Sequence, residues 1–510
     1  MKRPLLLLFI ILCIYTVVCL YRIDELPGEW YGDISIEHEY VTRILNGNCS
    51  FAFNQSAGPV YHFFIAPLIA LLGGSYLSYK IASVMTGGIG IVLLFNYGKV
   101  LLGPFGGNIA AALAAVSFWY ISFCRLGSSP QILTPLLGIG LLYSLYEYHE
   151  KQHVRYLMLG GCMAFFGLFT YPSTFHLPII LFLYVAGETL ARWKKTKQLR
   201  LTPIVSTGMG ILVSYAVFSL AASKQSDLFT SGYIGAKLFS QTQTLLPVVS
   251  QWLDHFFRTI LMFWDAGDVT FRVNVPRSPH LDPVSGILFA IGLGIMAAKK
   301  DWRFWYIGAP VFFLLLPSTL PGIPDREVPS MSRCLAVTPF VFLSIAYGVK
   351  GASTIIQDKR FRWFCIASTL GIICALNLTK YFVEYPKSLP DGNTPFGKIV
   401  AAYINTLPPT VDIKLTECCW GAWGQPEPKS VYYQLEFQKG REGIVHDTFL
   451  STCTSVNRQN DTLIIMPPHD IRMQNIMQQC FPDAKKMHHS EGATPIFTSL
   501  FIPRIRVSLN

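Results

Sequence analysis

Lys2-Arg3-Pro4-Leu5-Leu6-Leu7-Leu8-Phe9-Ile10-Ile11-Leu12-Cys13-Ile14-Tyr15-Thr16-Val17-Val18-Cys19-Leu20 leads through a short loop into Glu29-Trp30-Tyr31-Gly32-Asp33-Ile34-Ser35-Ile36-Glu37-His38-Glu39-Tyr40. Two cations and an unbroken apolar run read as a transmembrane helix. No small-residue cleavage site follows it and many more apolar runs do, so it reads as a retained span rather than a removed signal. The carboxylates beyond it, Asp33 above all, are thereby delivered to one membrane face.

Composition agrees. The 510 residues are 51% hydrophobic and only 14% charged, and the mean hydropathy is +0.39. Soluble domains carry about 25% charged residues, so this is a polytopic membrane protein. The net charge of +11 does not indicate nucleic acid, because the basic residues lie in short loops between apolar runs, where they set topology.

Eleven apolar segments are long enough to expect helical spans: 4–21, 78–102, 106–123, 130–147, 156–171, 174–192, 204–222, 284–298, 302–320, 333–350 and 362–382. Arg192, Lys194, Lys195, Lys197 and Arg200 follow the sixth. Lys299, Lys300 and Arg303 follow the eighth, and Lys350, Lys359, Arg360 and Arg362 follow the tenth. These loops share the side of the N-terminus, which the positive-inside rule makes cytoplasmic. The first loop (22–77), the long loop (223–283), the short loop 318–332 and a C-terminal domain (383–510) are then expected outside, with residues 1–382 forming the membrane domain of a multi-pass plasma (inner) membrane protein.

Within the first loop, Ile34, Glu37, Val41, Ile44 and Leu45 recur at helical spacing up to Gly47, and Pro59 to Leu72 is apolar but short for a span. Two juxtamembrane helices are expected there. In the tail, 411–415 and 462–466 read as buried strands and 396–406, 429–437 and 470–480 as helices, an alternation that predicts a small α/β domain. Cys49, Cys418, Cys419, Cys453 and Cys480 fall on the expected outer side, where a disulfide within the tail can form. So do four glycosylation sequons, at Asn48, Asn54, Asn377 and Asn460.

The centres of the spans are almost free of charge, whereas a transporter keeps ionisable groups near the midplane. Ionisable residues gather instead at the outer helix ends: Lys80, Arg125, His176 and Arg333, with Asp265, Asp268, Arg272, Arg277, His280 and Asp282 in the long loop. Cations stabilise a phosphate and a carboxylate takes a hydroxyl proton, so this set suits a substrate that joins sugar to phosphate. Other readings stand beside it. Asp33 also suits a helix N-cap, Lys80, Arg125 and Arg333 suit interfacial anchors, and Gly87-Gly88-Ile89-Gly90 suits helix packing.

At this point the pattern resembles the GT-C membrane glycosyltransferases, in particular the bacterial branch related to dolichyl-phosphate-mannose protein mannosyltransferases and aminoarabinose transferase. Gly32-Asp33 resembles the acidic motif that opens their first outer loop, with Ile34 in place of its second carboxylate and Glu37 one helical turn on. Ser56-Ala57-Gly58-Pro59-Val60-Tyr61-His62 looks like the start of their second juxtamembrane helix, and Lys80-Ile81-Ala82-Ser83 and Cys124-Arg125-Leu126-Gly127 like two later motifs. Phe263 to Asp268, Asn274-Val275-Pro276, Leu281-Asp282-Pro283 and Glu327 to Pro339 are similar to their long loop and tenth-span entry.

The resemblance implies an inverting transfer of a hexosyl or pentosyl unit from a polyprenyl-phosphate sugar to a lipid, glycan or protein acceptor in the cell envelope. It implies Asp33 as general base, Lys80, Arg125, His176 and Arg333 as donor-phosphate ligands, and Glu37, Tyr61, Asp265, Asp268 and Arg272 as substrate-binding residues. A divalent metal is compatible with the superfamily, with Glu37 and Asp268 as candidate ligands. A flippase or transporter of lipid-linked saccharides, a lipid-modifying phosphotransferase and a non-catalytic envelope protein remain as alternatives.

Overall fold

The computed structural model describes residues 2–31, 34–48, 58–127, 129–198, 201–221, 245–416, 430–431, 434–435, 445–448, 453, 456 and 458–505. They form two compact units. The first comprises Met1–Tyr21, Val41–Leu72 and Lys80–Tyr385, the second Arg22–Tyr40, Gly73–Tyr79 and Pro386–Asn510.

The first unit is helical. Its helices are α1 (Lys2–Leu20), the end of α2 (Ile34–Leu45), α3 (Pro59–Leu72), α4 (Tyr76–Val116), α5 (Phe118–Arg125), α6 (Thr134–Lys151), α7 (Arg155–Leu168), α8 (Leu177–Thr196), α9 (Thr202–Ala221), α10 (Leu245–Leu261), α11 (Pro283–Ala298), α12 (Gly308–Leu315), α13 (Thr338–Ser353) and α14 (Lys359–Thr379). Helix α14 continues through a wider π turn at Lys380–Glu384 to Ser388.

All the expected segments are helical, with two changes of boundary. The second and the start of the third lie on one element, α4, broken at Gly103 (φ 83°) before Pro104, and the third continues past Ser117 into α5; Pro104 cannot donate to the ladder, and glycine accepts the left-handed turn. The ninth segment is a broken helix bent by 119° from α11. Among the described residues, five helices are long and apolar enough to cross a bilayer, or six if that bent pair is one span. Helix α10 was not foreseen in the long loop, although Val249, Leu253, Phe257 and Leu261 repeat every fourth residue and stay exposed as one stripe.

Burial separates inner from outer helices. The span at α13 is 83% buried and the one at α14 only 17%, so α13 is a central element and α14 presents apolar side chains outward, as lipid permits. Small residues let backbones meet. A Cβ on Gly292 would stand 1.9 Å from the Ser344 carbonyl and one on Gly348 2.2 Å from that of Leu288, which locks α11 on α13. Gly87 and Gly90 serve the same end: a Cβ would meet Tyr15 Oη at 2.3 Å and Tyr120 Oη at 2.2 Å respectively.

Asn377 corrects one expectation. It is buried, its side chain accepts from Phe118 N (2.8 Å) and donates to Asp282 Oδ2 (2.8 Å). It is a packing residue rather than a glycan acceptor. Asn48 and Asn460 are exposed, and Asn54 lies outside the described residues.

The second unit contains a five-stranded sheet of order β2-β1-β3-β5-β4: β1 (Asp412–Thr416), β2 (Val445–Thr448), β3 (Thr462–Met466), β4 (Lys485–Glu491) and β5 (Thr494–Ile502). β1 runs parallel to both neighbours, while β3–β5 and β5–β4 are antiparallel. β3 is buried along its whole length, because residues of alternating side pack on different helices. Leu463 and Ile465 join Phe396, Val400 and Ile404 of α15 (Phe396–Asn405). Ile464 and Met466 join Met477 of α16 (Ile471–Cys480) and Phe481. A disulfide closes Cys453 to Cys480 with Cα atoms 5.2 Å apart. Of the helix expected at 429–437, residues 430 and 431 are helical; Cys49, Cys418 and Cys419 lie outside the described residues.

Candidate functional site

In the first unit, several helix ends are tied into one rim. Gly58 N donates to Thr170 O (2.7 Å) and Val60 N to Phe169 O (3.2 Å), which fastens the start of α3 to the unwound turn between α7 and α8. A Cβ on Gly58 would lie 2.0 Å from the Phe169 carbonyl, so only glycine permits this approach. Ser129 N donates to Tyr61 Oη (2.9 Å), and Ser83 Oγ donates to Gly127 O (2.5 Å). Trp119 Nε1 reaches Met331 O (3.4 Å). The elements carrying Tyr61, Lys80, Arg125, His176 and Arg333 are thereby linked at one end of the bundle.

The side chains themselves differ in role. Lys80 and Arg125 are fully buried, which a cation accepts only when it is paired or hydrogen-bonded. Arg125 Nη1 donates to the carbonyls of Val18, Cys19 and Tyr21 at 2.7–2.8 Å, its Nε donates to Tyr381 Oη (3.0 Å), and the guanidinium lies 5.0 Å from the Tyr381 ring centre. It therefore caps the carbonyl end of α1, where a cation also meets the negative pole of the helix. Tyr381 sits in the π turn, an irregularity that apolar periodicity does not reveal.

His176 is the residue before the first turn of α8, and its Nδ1 is buried with no hydrogen-bond partner among the described residues. Arg333 donates to Glu327 Oε2 (2.6 Å) and is mostly buried. In the long loop, Asp265 is exposed and Arg272 half-buried. Asp268 is buried, and both its oxygens are engaged: Oδ1 accepts from Thr270 N (2.8 Å) and Oδ2 from Met331 N (2.7 Å). Burial pushes its pKa up, against the opposing pull of these hydrogen bonds and of Arg333. Asp268 N in turn donates to His280 Nε2 (3.1 Å). Burial drives the His280 imidazole far toward neutrality, which leaves Nε2 free to accept.

Asp33 and Gly32 lie outside the described residues. Glu37, on α2, is buried. Asp268 spends both oxygens on backbone N–H groups, and among the described residues no three His, Cys, Asp or Glu side chains gather as a ligand set.

In the second unit, residues beside the acidic stretch form a dense polar and aromatic cluster that sequence patterning did not single out. Glu29 is fully buried; Oε1 accepts from Trp30 N (2.8 Å) and Oε2 from Gly397 N. Desolvation raises its pKa to about 7, even though hydrogen bonds from Trp30, Gly397, Ser430 and Gln434 favour the carboxylate. The Trp30 ring packs on Tyr76, Tyr79 and His38 with centroids 5.1–5.9 Å apart. His38 Nδ1 and Tyr79 Oη are hydrogen-bonded at 2.9 Å, and burial lowers the His38 pKa to about 4.

A family model described as dolichyl-phosphate-mannose-protein mannosyltransferase matches residues 56–221. The chain is similar in fold to ArnT from Cupriavidus metallidurans bound to undecaprenyl phosphate, with a TM-score of 0.56 at 11% identity over 97% of each chain. Against ArnT from Cupriavidus metallidurans in the apo state the TM-score is 0.52 at 10% identity, over 96% of this chain and 97% of that one. No curated protein matches in sequence.

Proposed function

We propose that the protein is an inverting glycosyltransferase that moves a sugar from a polyprenyl-phosphate donor to an acceptor hydroxyl on the extracytoplasmic face of the plasma membrane. The observation that carries this reading is the fold likeness to ArnT bound to undecaprenyl phosphate, spanning 97% of both chains. The charge-free span centres and the rim of cation-bearing helix ends support it.

In this reading Asp33 takes the acceptor proton as the hydroxyl oxygen attacks the anomeric carbon. The bond from that carbon to the phosphate oxygen breaks, the configuration inverts, and polyprenyl phosphate leaves with its electron pair. The leaving group is an anion at neutral pH and needs charge stabilisation more than a proton. Lys80 and Arg333 supply charge. His176, with its unpartnered Nδ1 at the N-terminal end of α8, supplies a hydrogen bond beside a helix pole that favours phosphate. Arg125 acts by holding the end of α1, from which the acidic loop departs. Tyr61, Glu37, Asp265, Asp268 and Arg272 are assigned to substrate binding, and no step is routed through a metal. The C-terminal domain lies on the same side as the acidic loop.

The test uses the full chain in proteoliposomes containing polyprenyl-phosphate sugars, hexosyl and pentosyl, with lipid, glycan and protein acceptors. Acceptor-dependent release of polyprenyl phosphate is expected, and Asp33→Asn should reduce it on the order of 100-fold or more with folding intact. Undiminished transfer by Asp33→Asn would remove the base assignment. Movement of intact lipid-linked sugar across the bilayer without bond cleavage would favour a flippase instead.

A further inference from the structure

We propose that the cavity between α6, α8 and the turn at Trp302–Trp305 binds the ammonium headgroup of an aminophospholipid, phosphatidylethanolamine in its simplest form, from the cytoplasmic leaflet.

The cavity lies within the first unit and has a volume of about 660 Å³, in the range of small-molecule sites. Its polarity is graded along α6. His149 and Glu150 stand exposed at one end, while Leu142 and Leu145, with Ile180 of α8, line the other. Eight residues of helix separate Leu142 from Glu150, about 12 Å. The polar end belongs to the side of the bundle that carries Lys194 and Lys195 in the last turn of α8, and Lys299 and Lys300 just before the turn. The positive-inside rule makes that side cytoplasmic. A phospholipid of the cytoplasmic leaflet has the same order, headgroup at the surface and acyl chain toward the midplane. A soluble amine has no part to set against the apolar end.

The walls between the two ends are aromatic. The Tyr184 hydroxyl reaches across to α6 and donates to Leu145 O (3.1 Å). Trp302 and Tyr306 pack on Tyr146 with ring centroids 6.0 and 5.5 Å away, and Trp305 is 72% exposed. Ring faces attract cations, and this cluster already holds one: the Arg303 guanidinium lies 5.0 Å from the Trp302 ring centre. Rings alone would be the aromatic belt common at membrane surfaces. The carboxylates set this place apart. Glu147 pairs with Lys151, Glu188 with Arg192 (2.6 Å) and Asp301 with Arg303 (2.9 Å). Glu150, the carboxylate that lines the cavity, has no cation paired to it among the described residues. Its charge acts on the hydroxyls of Tyr146 and Tyr306. A primary ammonium there completes a fourth ion pair: its N–H groups donate to Glu150, and the ring faces of Trp305 and Tyr306 take the rest of its charge. The phosphodiester that follows the amine meets the lysines of the same side. A lipid so held bridges α6, α8 and the turn.

The test titrates the full chain, purified in a neutral detergent, with dioctanoyl phosphatidylethanolamine, dioctanoyl phosphatidylglycerol and soluble phosphoethanolamine, and counts bound molecules by native mass spectrometry. The wild type should hold one phosphatidylethanolamine on the order of 10-fold more tightly than phosphatidylglycerol, and phosphoethanolamine should stay unbound at the same concentrations. Glu150→Gln and Trp305→Ala should each weaken phosphatidylethanolamine on the order of 10-fold. Both side chains are exposed, so the fold survives, and an unchanged thermal midpoint without added lipid verifies it. Trp305→Phe, which keeps a ring, should recover most of the affinity. Equal affinity for the two lipids, or wild-type selectivity in folded Glu150→Gln, would overturn the proposal and leave an ordinary aromatic belt. Phosphoethanolamine binding as tight as that of the lipid would overturn the lipid assignment in favour of a soluble amine.

Discussion

Replacing Glu29 by glutamine should expose a pH dependence of stability that the wild-type protein hides. Two buried groups of the second unit titrate in opposite senses. Glu29 has a pKa near 7 in place of 4.5, because its burial penalises the charge. The stability from its neutral form is complete below pH 4.5 and is lost as pH rises toward 7. A 2.5-unit shift corresponds to about 3 kcal/mol. His38 is lowered from 6.5 to about 4 by the same cause. Its neutral form contributes stability above pH 6.5 that is lost as pH falls toward 4, again about 3 kcal/mol. His489, lowered by burial and by His488, has the sign of His38. Between pH 4.5 and 6.5 the slopes of Glu29 and His38 therefore nearly cancel.

In Glu29→Gln only the histidine slope survives, so the second unit should gain about 3 kcal/mol between pH 4 and 6.5. At a urea m-value of about 2 kcal/mol/M this moves the midpoint by roughly 1.5 M. Pulse proteolysis of the full chain in detergent, across urea and pH, reads the transition. His38→Phe should show the mirror image, a loss of similar size from pH 4.5 to 7. If Glu29→Gln follows the wild-type profile at every pH, Glu29 is not titrating as a buried carboxyl and the reasoning fails.

Two further outcomes follow from contacts elsewhere. Asp268→Ala leaves the buried N–H groups of Thr270 and Met331 without acceptors, at about 1–3 kcal/mol each. The thermal midpoint of the detergent-solubilised protein should fall by several degrees, and added divalent cation should not restore it; an unchanged midpoint would show that the carboxylate is not the pin between the two loops. Cys453→Ser removes a crosslink that spans 27 residues, so the C-terminal domain should lose about 3.5 kcal/mol of stability, seen as an earlier urea transition. Equal transitions in the oxidised and substituted proteins would contradict this.

The helices were legible because lipid is a demanding solvent: a span must be apolar along about 20 residues, and that run is visible one residue at a time. α10 escaped because its apolar stripe is only one face, and the search for continuous apolar runs passes over such helices. In the tail, β1 and β3 were read from continuous buried runs. The β4–β5 hairpin was missed because β4 is an exposed edge strand carrying Lys485, Lys486, His488, His489 and Glu491. Asn377 matched a glycosylation sequon, yet a three-residue motif is blind to the burial that commits this amide to Asp282 and Phe118.

By itself, the order of residues determined that the chain crosses a membrane many times, that its loops carry the charges, and that a small α/β domain follows. Those properties depend on local hydrophobicity and charge, which are additive along the chain. Only the tertiary structure decided which polar groups share a rim, that Arg125 caps α1, that Asp268 pins two loops, and that Glu29 reaches the end of α15. Glu29 and Gly397 are 368 residues apart in sequence. The value of such a contact lies in desolvation and hydrogen bonding between distant groups, and no window of sequence contains both partners.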